Sequence, residues 1–412
     1  MSLTKNEAQI LRELAQRYAS YAVLPVQQEK KKLWLSLNRC KPERPMVLID
    51  QLPWHEMDVD GFLVNRVSDP YWRGVETELR RTVYKWEHMP ADMVLHPYLT
   101  LPKALEYTGY GIAGQEKTLA TDTANNVVSH SFVNQFREPE DVDKIQTPRW
   151  IHHAKKTEEI RWQASLLFDG ILPVRMTGVT LHLGLWDVIT QWMGVDNIYL
   201  ELMDRPEFMH AIMERMTDCT EQMIRQADKD GLFDADTELC HCSHTFSDDL
   251  PSADCRHEAP RAKDVWAFGL AQLFTAVSPA VTAEFEVPYM QRLFRYFGAI
   301  YYGCCDRLDD RLDIITRMPN IRKISCSPWS NREQFAERLP RGYVMSNKPN
   351  PSVVGTKTAD MDAARADICR TLDAAKAHEV PLEFILKDIS TVQYQPQRLW
   401  EWARMAVETV SR

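Results

Sequence analysis

The chain has 412 residues, 44% hydrophobic and 26% charged, which is enough to bury a large core as one α/β barrel with insertions or as two domains. Its net charge of −9 argues against a nucleic-acid binder, because such proteins usually carry a basic surplus. Residues 1–27 lack the apolar stretch of an export signal, and no run of about 18 apolar residues predicts a membrane span. Nine cysteines, an odd number, then predict a cytoplasmic protein with reduced thiols.

The predicted elements begin with helix. Apolar residues recur at helical spacing between residues 3 and 37, opposite a charged face. A proline-containing break separates this helix from a short apolar run at 46–50, which predicts the first strand. Asp69 and Pro70 are typical of a helix start, as N-cap and first-turn proline, and predict a helix to residue 85.

A second strand is predicted at 93–96 and a third at 171–178. The segment between them, residues 97–170, contains a Gly-rich piece and, at 121–130, a piece rich in Thr, Asn, Ser and His. We interpret 97–170 as an insertion over the mouth of a barrel. The alternative is an independent small domain.

The second half of the chain alternates strands and helices. Further helices are predicted at 184–194, 205–229, 279–297, 308–317, 360–378 and 396–410. Further strands are predicted at 232–239, 299–303, 321–325, 342–346 and 382–386. Eight short strands, most of them separated by helices, predict a parallel sheet with right-handed crossovers, closed into a (β/α)8 TIM barrel. A doubly wound open sheet is the alternative, but no Gly-x-Gly-x-x-Gly motif follows any strand.

The fold prediction is therefore a mixed α/β chain with one large domain. Residues 1–44 are expected to form an N-terminal helical extension, and residues 45–412 the TIM barrel. The insertion at about 97–170 lies between the second and third strands.

Three successive predicted strands end in polar or metal-capable side chains. The first ends in Gly303-Cys304-Cys305-Asp306-Arg307, the next at Cys326, and the third in Asn347-Lys348-Pro349-Asn350-Pro351. Because the carboxyl ends of barrel strands meet at one mouth, a site is expected there.

Thiols at these strand ends suggest a metal site. Cys304, Cys305 and Cys326 are the leading ligand candidates, because zinc takes thiolate and imidazole ligands in a tetrahedron. The alternative is three buried, unreactive cysteines, since free cysteine is among the most buried residue types. The run Cys240-His241-Cys242, with His244 nearby, resembles a metal motif in composition. Successive residues of an extended chain face opposite ways, however, so Cys240 and Cys242 point together and His241 points away. Only one or two of these residues can then join a shared site, and His241 is the candidate retained.

Charged residues at other strand exits are candidates for catalysis. Asp248 and Asp249 suit a general base or a cation ligand, or alternatively cap the segment that follows them. Lys348 suits contact with an anionic group, or is a solvated lysine on a proline-fixed turn. Lys387, followed by Asp388, suits an ion pair that orients a site group, or merely closes the last strand. Substrate contacts are expected from Trp54, His55, His182, Asn347 and Lys387.

The order of several motifs resembles the uroporphyrinogen decarboxylase-like superfamily. The motifs that carry the resemblance are Met176-Thr177-Gly178 before a Trp-rich helix, Asp248-Asp249-Leu250-Pro251, the stretch from Ser278-Pro279 to Pro288-Tyr289, the Cys304 strand end, and Asn347-Lys348-Pro349-Asn350-Pro351. Members of that superfamily are TIM barrels. They include the decarboxylase itself and zinc-dependent methyltransferases that act on methylcobalamin or methylated corrinoid proteins.

Two departures from the family pattern narrow what the resemblance implies. The decarboxylase's arginine-containing N-terminal motif is absent, because the first strand exits as Asp50-Gln51-Leu52-Pro53-Trp54-His55. The methyltransferases carry His-x-Cys where this chain has Tyr302-Gly303-Cys304. The cysteine matches, and Tyr302 replaces the histidine. Tyr302 is therefore counted among the catalytic candidates. In related barrels the strand after the one that ends at Cys304 supplies a further metal ligand, which falls about at Cys326 in this chain. The missing donor would come from His241, His244, Glu258 or a water.

The resemblance therefore implies a methyltransferase that moves a methyl group between a small methylated compound and a corrinoid carried by a partner protein, with zinc as the assisting metal. It also implies a homodimer, as is common among members. Two alternatives remain: a metal-independent decarboxylase or lyase of the same superfamily, and a non-catalytic barrel that binds a tetrapyrrole.

Overall fold

The computed structural model of the chain describes residues 3–120, 128–234 and 238–412. Most of the polar piece predicted at 121–130, and the middle of the strand predicted at 232–239, therefore lie outside the described residues. Among the residues described, no helix combines the length and the apolar character needed to cross a bilayer.

A seven-stranded parallel sheet forms the centre of the fold. Its strands in chain order are β1 Met46–Ile49, β2 His182–Leu183, β3 Trp266–Gly269, β4 Ala299–Tyr302, β5 Ile321–Cys326, β6 Val344–Asn347 and β7 Leu382–Leu386. In space they run β1-β7-β6-β5-β4-β3-β2, and every neighbouring pair is parallel. The carboxyl ends of all seven strands thus lie at one edge, as the sequence predicts.

The sheet does not close into the predicted eight-stranded barrel within the described part of the chain, where β1 and β2 are its two edges. The strand predicted at 93–96 is not observed. Asp92 instead satisfies the free side of β1: its carboxylate accepts from Val47 N (2.8 Å) and its own backbone N donates to Val47 O (2.9 Å). Because one residue takes both backbone groups of Val47, no further strand adds at that point.

Two other predicted strands pair outside the central sheet. Val174–Thr177, within the strand predicted at 171–178, pairs in parallel with Leu99–Pro102 as a separate two-stranded sheet. Leu239–Cys240 folds back on Ser243–His244 as an antiparallel hairpin, whose turn holds His241 at φ 56°. The end of the predicted 232–239 run is therefore a hairpin arm and not a barrel strand.

The described helices follow the predicted pattern with shorter or divided segments. The long N-terminal helix breaks at Pro25, whose ring cannot continue the hydrogen-bond ladder, and the helix predicted at 279–297 is likewise divided. The α-helices are Lys5–Ala22, Pro25–Asn38, Pro70–His88, Ala154–Leu167, Leu185–Met193, Val195–Asp204, Pro206–Lys229, Pro279–Phe285, Val287–Phe294, Leu312–Ile315, Arg332–Arg338, Ser352–Gly355, Met361–Ala377 and Gln397–Val410. Short 3-10 helices occur at Trp54–Glu56, Pro139–Lys144, Ala262–Asp264 and Gln272–Ala276.

The segment predicted as an insertion contains small antiparallel pairs. Leu105–Tyr107 pairs with Trp150–His152, and Glu116–Leu119 pairs with Ser129–Phe132. Gln226, on the helix Pro206–Lys229, bonds both the backbone N and the backbone O of Trp150 at 3.0 Å. The segment is thus fastened to an outer helix.

The two faces of the sheet pack against different layers. Side chains on its outer face, Tyr302 among them, pack against the outer helices in the largest apolar cluster. The inner face, which includes Tyr301 and Cys304, packs on Trp34 and on the hairpin residues Cys240 and Cys242. The N-terminal helix Pro25–Asn38 and the hairpin therefore cover the inner face of the sheet.

Candidate functional site

Cys304 takes its position from a sharp change of direction at the end of β4. Gly303 has φ 87°, a conformation that residues with a Cβ rarely adopt, and a Cβ there would lie 2.6 Å from the side chain of Leu308. The chain after the turn is fixed by Ser325 Oγ, which donates to Cys304 O at 2.6 Å. The thiol is only 7% exposed and lies at the inner, carboxyl edge of the sheet.

Lys387, the first residue after β7, joins this thiol to an imidazole. Its Nζ lies 2.9 Å from Cys304 Sγ and 2.8 Å from His241 Nε2. The His241 ring stacks on Phe268, with ring centroids 4.0 Å apart and planes within 5°. His241 and Asp388 both have left-handed backbones, at φ 56° and 57°. Strained residues of this kind cluster at functional sites because the surrounding structure holds them in place.

The charges around Cys304 favour its thiolate. A hydrogen bond from the Cys305 thiol, together with His241 and Lys387, outweighs burial and lowers the pKa of Cys304 to about 3. Burial would lower the pKa of His241, but Cys242 and Cys304 outweigh it and raise that pKa to about 9. The pKa of Lys387 is also raised, because Cys242, Cys304 and Asp388 outweigh its burial. At neutral pH the centre thus holds Cys304 as a thiolate, in contact with both Lys387 and His241.

A second thiol, Cys242, lies on the other side of His241. Its Sγ is 3.6 Å from the hydroxyl of Tyr301. Lys348 Nζ donates to that hydroxyl and, at 2.6 Å, to Ser346 Oγ. Burial opposes ionisation of Cys242, but Lys348 and His241 outweigh it and lower the pKa of this thiol. The site therefore holds a second thiol whose ionisation the neighbouring cations favour.

A fully buried ion pair supports this network from inside the sheet. Lys323 Nζ lies 2.7 Å from the Glu383 carboxylate and also donates to Ser243 Oγ at 2.6 Å. Ser243 and Ser346 donate to the same carboxylate at 2.8 and 2.6 Å. Every charge in this group has partners, as buried charges require.

The thiols also form a metal-capable group. Ligand atoms of Cys304, Cys305 and Asp388 all lie within 4.8 Å of one another, and within the described ranges this is the one such cluster. The two sulfurs are 3.6 Å apart, and Cys305 Sγ lies 3.0 Å from Asp388 Oδ2, so the single S–H of Cys305 is shared between Cys304 and Asp388. Thiolate and carboxylate donors suit zinc. The set leaves a fourth position open, and a metal there would replace the cationic contact that Lys387 makes with Cys304.

The structure leaves several predicted site residues apart from this cluster. Cys326 is fully buried, and burial raises its pKa to about 12, although the Asn347 side chain lowers it in part. Tyr302 faces the outer helices and donates to Glu286 at 3.2 Å, so its hydroxyl does not reach the inner face. Lys348 and Asn347 are both buried, and of the two it is Lys348 that joins the thiol network.

Asp248 and Asp249 lie away from the thiols. Asp249 pairs with Arg322, the second residue of β5, and Asp248 pairs with Arg39. Both carboxylates are more than half exposed. Because Arg322 belongs to the amino end of its strand, Asp249 lies at the edge of the sheet opposite to Cys304. The structure therefore corrects the expectation that these carboxylates stand at the mouth.

Two of the expected substrate contacts line a cavity beside the site. Trp54 and His55 are in the wall of a cavity of 720 Å³ that also reaches Asp388. His182 lies at the end of β2, with its ring 4.8 Å from that of Phe268 and 6.4 Å from that of His241. Lys387 is at the centre, as described above.

Sequence reasoning missed three participants. The sequence pattern favours His241 over its neighbour Cys242 as a ligand. It predicts Asp388 only as a partner of Lys387, and it assigns no role to Asp306. Asp306 Oδ1 accepts from the backbone N of Cys304 at 2.6 Å, and burial raises its pKa to about 6. The available signal was position: Asp306 and Asp388 each follow a predicted strand within a few residues, where site groups are expected.

Comparisons with known proteins bear on the fold. No protein-family model matches the sequence, and no curated protein matches it. Among solved structures, the chain is similar to a methyltransferase from Methanosarcina mazei, with a TM-score of 0.50 and 11% identity over 91% of this chain and 98% of that one. At this identity the likeness shows the fold alone: this chain shares the fold of a methyltransferase over nearly its full length.

Proposed function

We propose that the protein is a methyltransferase in which Cys304 is the central reactive group. The observation that carries the proposal is the Cys304 thiolate held between Lys387 and His241 at the carboxyl edge of the sheet. A thiolate is the nucleophilic and metal-binding form of cysteine, and a pKa of about 3 keeps it in that form at all physiological pH values. The shared fold with a methyltransferase supports the same reaction class.

Each side chain has a distinct part in this proposal. Lys387 stabilises the thiolate and leaves a cationic wall for an anionic transition state. His241 is stacked on Phe268 and carries a proton that it can return to a leaving group. Cys242 and Tyr301 close the inner side of the centre and limit the access of water.

A zinc ion is proposed as the assisting metal, held by Cys304, Cys305 and Asp388. When bound, it would act as a Lewis acid toward the methyl donor or acceptor. Binding requires both thiols to be deprotonated, and Cys305 is held as a thiol by its bonds to Cys304 and Asp388, which with burial raise its pKa. Metal uptake should therefore release a proton. His241 and Cys326 are kept as alternative donors from the sequence analysis.

The proposed second partner is a corrinoid carried on a separate protein, and the proposed donor is a small methylated compound. Both rest on the motif order that resembles the zinc-dependent methyltransferases. A homodimer is proposed on the same ground.

The direct test is methyl exchange with free methylcobalamin, followed by the spectral change of the corrinoid. Cys304→Ser should abolish exchange, because serine is not ionised at neutral pH and binds zinc poorly. Cys369→Ser, at an exposed cysteine, is the matched control and should retain full activity. Full activity in Cys304→Ser would reject the mechanism.

Elemental analysis of protein purified without a histidine tag separates the two ligand sets. About one zinc per chain is the content that a single mononuclear site requires. Loss of that zinc in Asp388→Asn but not in Cys326→Ser would support the cluster described above, and the reverse would support the sequence-based set. Metal-free protein that is active and insensitive to chelators would reject zinc.

A further inference from the structure

A cavity of 510 Å³ adjoins the thiolate centre. His241 and Cys242 form part of its wall, and Asp50, the first residue after β1, forms another part. The backbone N of Asp50 donates to Leu386 O at 2.9 Å, which places Asp50 beside Lys387 on the neighbouring strand. The cavity therefore opens at the same edge of the sheet as Cys304, and its volume suits a small molecule.

Two opposite charges line this cavity without contacting each other. The side chains of Asp50 and Lys85 are both half-buried in its wall. Neither forms an ion pair within 4.0 Å or a side-chain hydrogen bond with any residue that the structure describes. They still interact through space, because Asp50 and Glu78 partly offset the burial that lowers the pKa of Lys85. The cavity wall thus carries an ammonium, that of Lys85, and a carboxylate, that of Asp50, that are not in contact with each other.

Other charged groups of the same wall are already engaged. Glu238 pairs with His96 at 2.8 Å. The Arg81 guanidinium lies 3.9 Å from the Glu78 carboxylate and 4.9 Å above the ring of Trp54. Asp50 and Lys85 are therefore the charges left for a ligand. A partly desolvated charge without a counter-charge is costly, so the ligand that relieves both must carry both signs.

We propose that this cavity binds a small zwitterion, such as an α-amino acid or a betaine, with its carboxylate on Lys85 and its cationic nitrogen on Asp50. A ligand with a single charge leaves one of the two protein charges unmatched. Tyr18 contributes aromatic surface to the same wall, which suits methyl groups on a cationic nitrogen. The inference rests on the proposed function, because it names the substrate class of the site beside Cys304.

Three probes of similar shape test the charge requirement. Glycine betaine carries both charges, 3,3-dimethylbutanoate replaces its nitrogen by carbon and keeps only the carboxylate, and choline keeps only the cation. Calorimetric titration of the whole protein should show saturable binding of glycine betaine, at least about tenfold tighter than either single-charge probe.

Variants assign each charge to its residue. Asp50→Asn should weaken glycine betaine by about tenfold without weakening 3,3-dimethylbutanoate, whereas Lys85→Met should weaken both. Choline binding should be weakened by Asp50→Asn and not by Lys85→Met. Asp373→Asn and Lys376→Met, which are exposed on the helix Met361–Ala377, are the matched controls and should alter nothing.

The outcomes separate this inference from the proposed function. Binding is measured without turnover, so Cys304→Ser should retain it while losing methyl exchange. Absence of saturable betaine binding in the unmodified protein, or equal binding of all three probes, would overturn the zwitterion site. If Lys85→Met does not fold, the contrast between betaine and 3,3-dimethylbutanoate in Asp50→Asn decides the question alone.

Discussion

Two buried lysines, Lys323 and Lys387, occupy the same sheet but are surrounded in opposite ways. Lys323 lies within β5, and its Nζ contacts one carboxylate, one hydroxyl and the His244 carbonyl. Lys387 lies just beyond the end of β7, and its Nζ contacts a thiolate and an imidazole, with the Asp388 carboxylate at 3.4 Å. Burial dominates at Lys323 and lowers its pKa, whereas the anions around Lys387 raise its pKa.

The difference separates a structural ion pair from a reactive one. The partners of Lys323 are a fixed set of oxygen atoms, all satisfied within the sheet. The closest partners of Lys387 can change state, because a thiolate and an imidazole bind protons or metals at accessible pH. Position along the strand decides whether a buried lysine is structural or reactive. A side chain within a strand is surrounded by the sheet, whereas one at the carboxyl end faces the edge where sites form.

The largest expected effect comes from breaking the structural pair. Lys323→Met leaves the Glu383 carboxylate buried without its cation, and removal of one partner of such a pair costs about 3–5 kcal/mol. Urea unfolding should show that loss, whereas Lys376→Met should be neutral. The double variant Lys323→Met with Glu383→Leu should recover part of it, because an apolar pair leaves no unmatched charge. A single variant as stable as the unmodified protein would refute the structural role.

Breaking the reactive pair should change chemistry more than stability. Lys387→Met removes the ammonium 2.9 Å from Cys304 Sγ, so the pKa of that thiol should rise while Cys305 and His241 still favour its thiolate. The alkylation rate of Cys304 by iodoacetamide, followed by peptide mapping across acid pH, measures this directly. In the unmodified protein the alkylation rate should stay constant down to low pH. In Lys387→Met the alkylation rate should begin to fall at a higher pH than in the unmodified protein. Identical profiles would count against the pairing.

The contrast between these lysines also shows what sequence alone can and cannot predict. The strands at 46–50, 321–325 and 382–386 follow from short apolar runs, and the carboxyl edge as the site follows from parallel strands. Lys323 was read as part of a strand with no special role. Its partner Glu383 lies 60 residues away, and no local pattern reveals such a pair.

The hairpin was missed for a related reason. Alternation along an extended chain predicts that His241 points away from its cysteine neighbours. The structure instead turns at His241, with φ 56°, and brings the imidazole to Lys387. Closure of the barrel is not confirmed within the described residues. Asp92 pairs with both backbone groups of Val47 on the free side of β1, and no local sequence pattern predicts that pairing.

The pH dependence of stability should distinguish the reactive pair from the structural one. The depressed pKa of Cys304, about 3 against 9.0, stabilises the fold at high pH and loses that effect as pH falls from 9.0 toward 3. The raised pKa of His241, about 9 against 6.5, stabilises at low pH and loses its effect as pH rises from 6.5 to 9. The two slopes cancel between 6.5 and 9, and below 6.5 the thiolate dominates.

Urea unfolding of the unmodified protein and of Cys304→Ala with His241→Gln across pH should therefore give a constant difference between pH 6.5 and 9. Below pH 6.5 that difference should shrink, by at most about 1.4 kcal/mol per pH unit. A difference that grows on acidification would contradict the thiolate assignment.

The smallest effect is expected at the opposite edge of the sheet, where sequence analysis had proposed a catalytic carboxylate. Asp249 is 57% exposed and pairs with Arg322, so Asp249→Asn should cost less than about 1 kcal/mol, the range of surface ion pairs in water. High salt should reduce even that cost, because exposed charges are screened. Methyl exchange by Asp249→Asn should equal that of the unmodified protein, while Asp388→Asn, at the edge that carries Cys304, should lose it. If Asp249→Asn instead abolished exchange without loss of stability, the site would have to include the amino edge of the sheet, and the division between the two edges would be wrong.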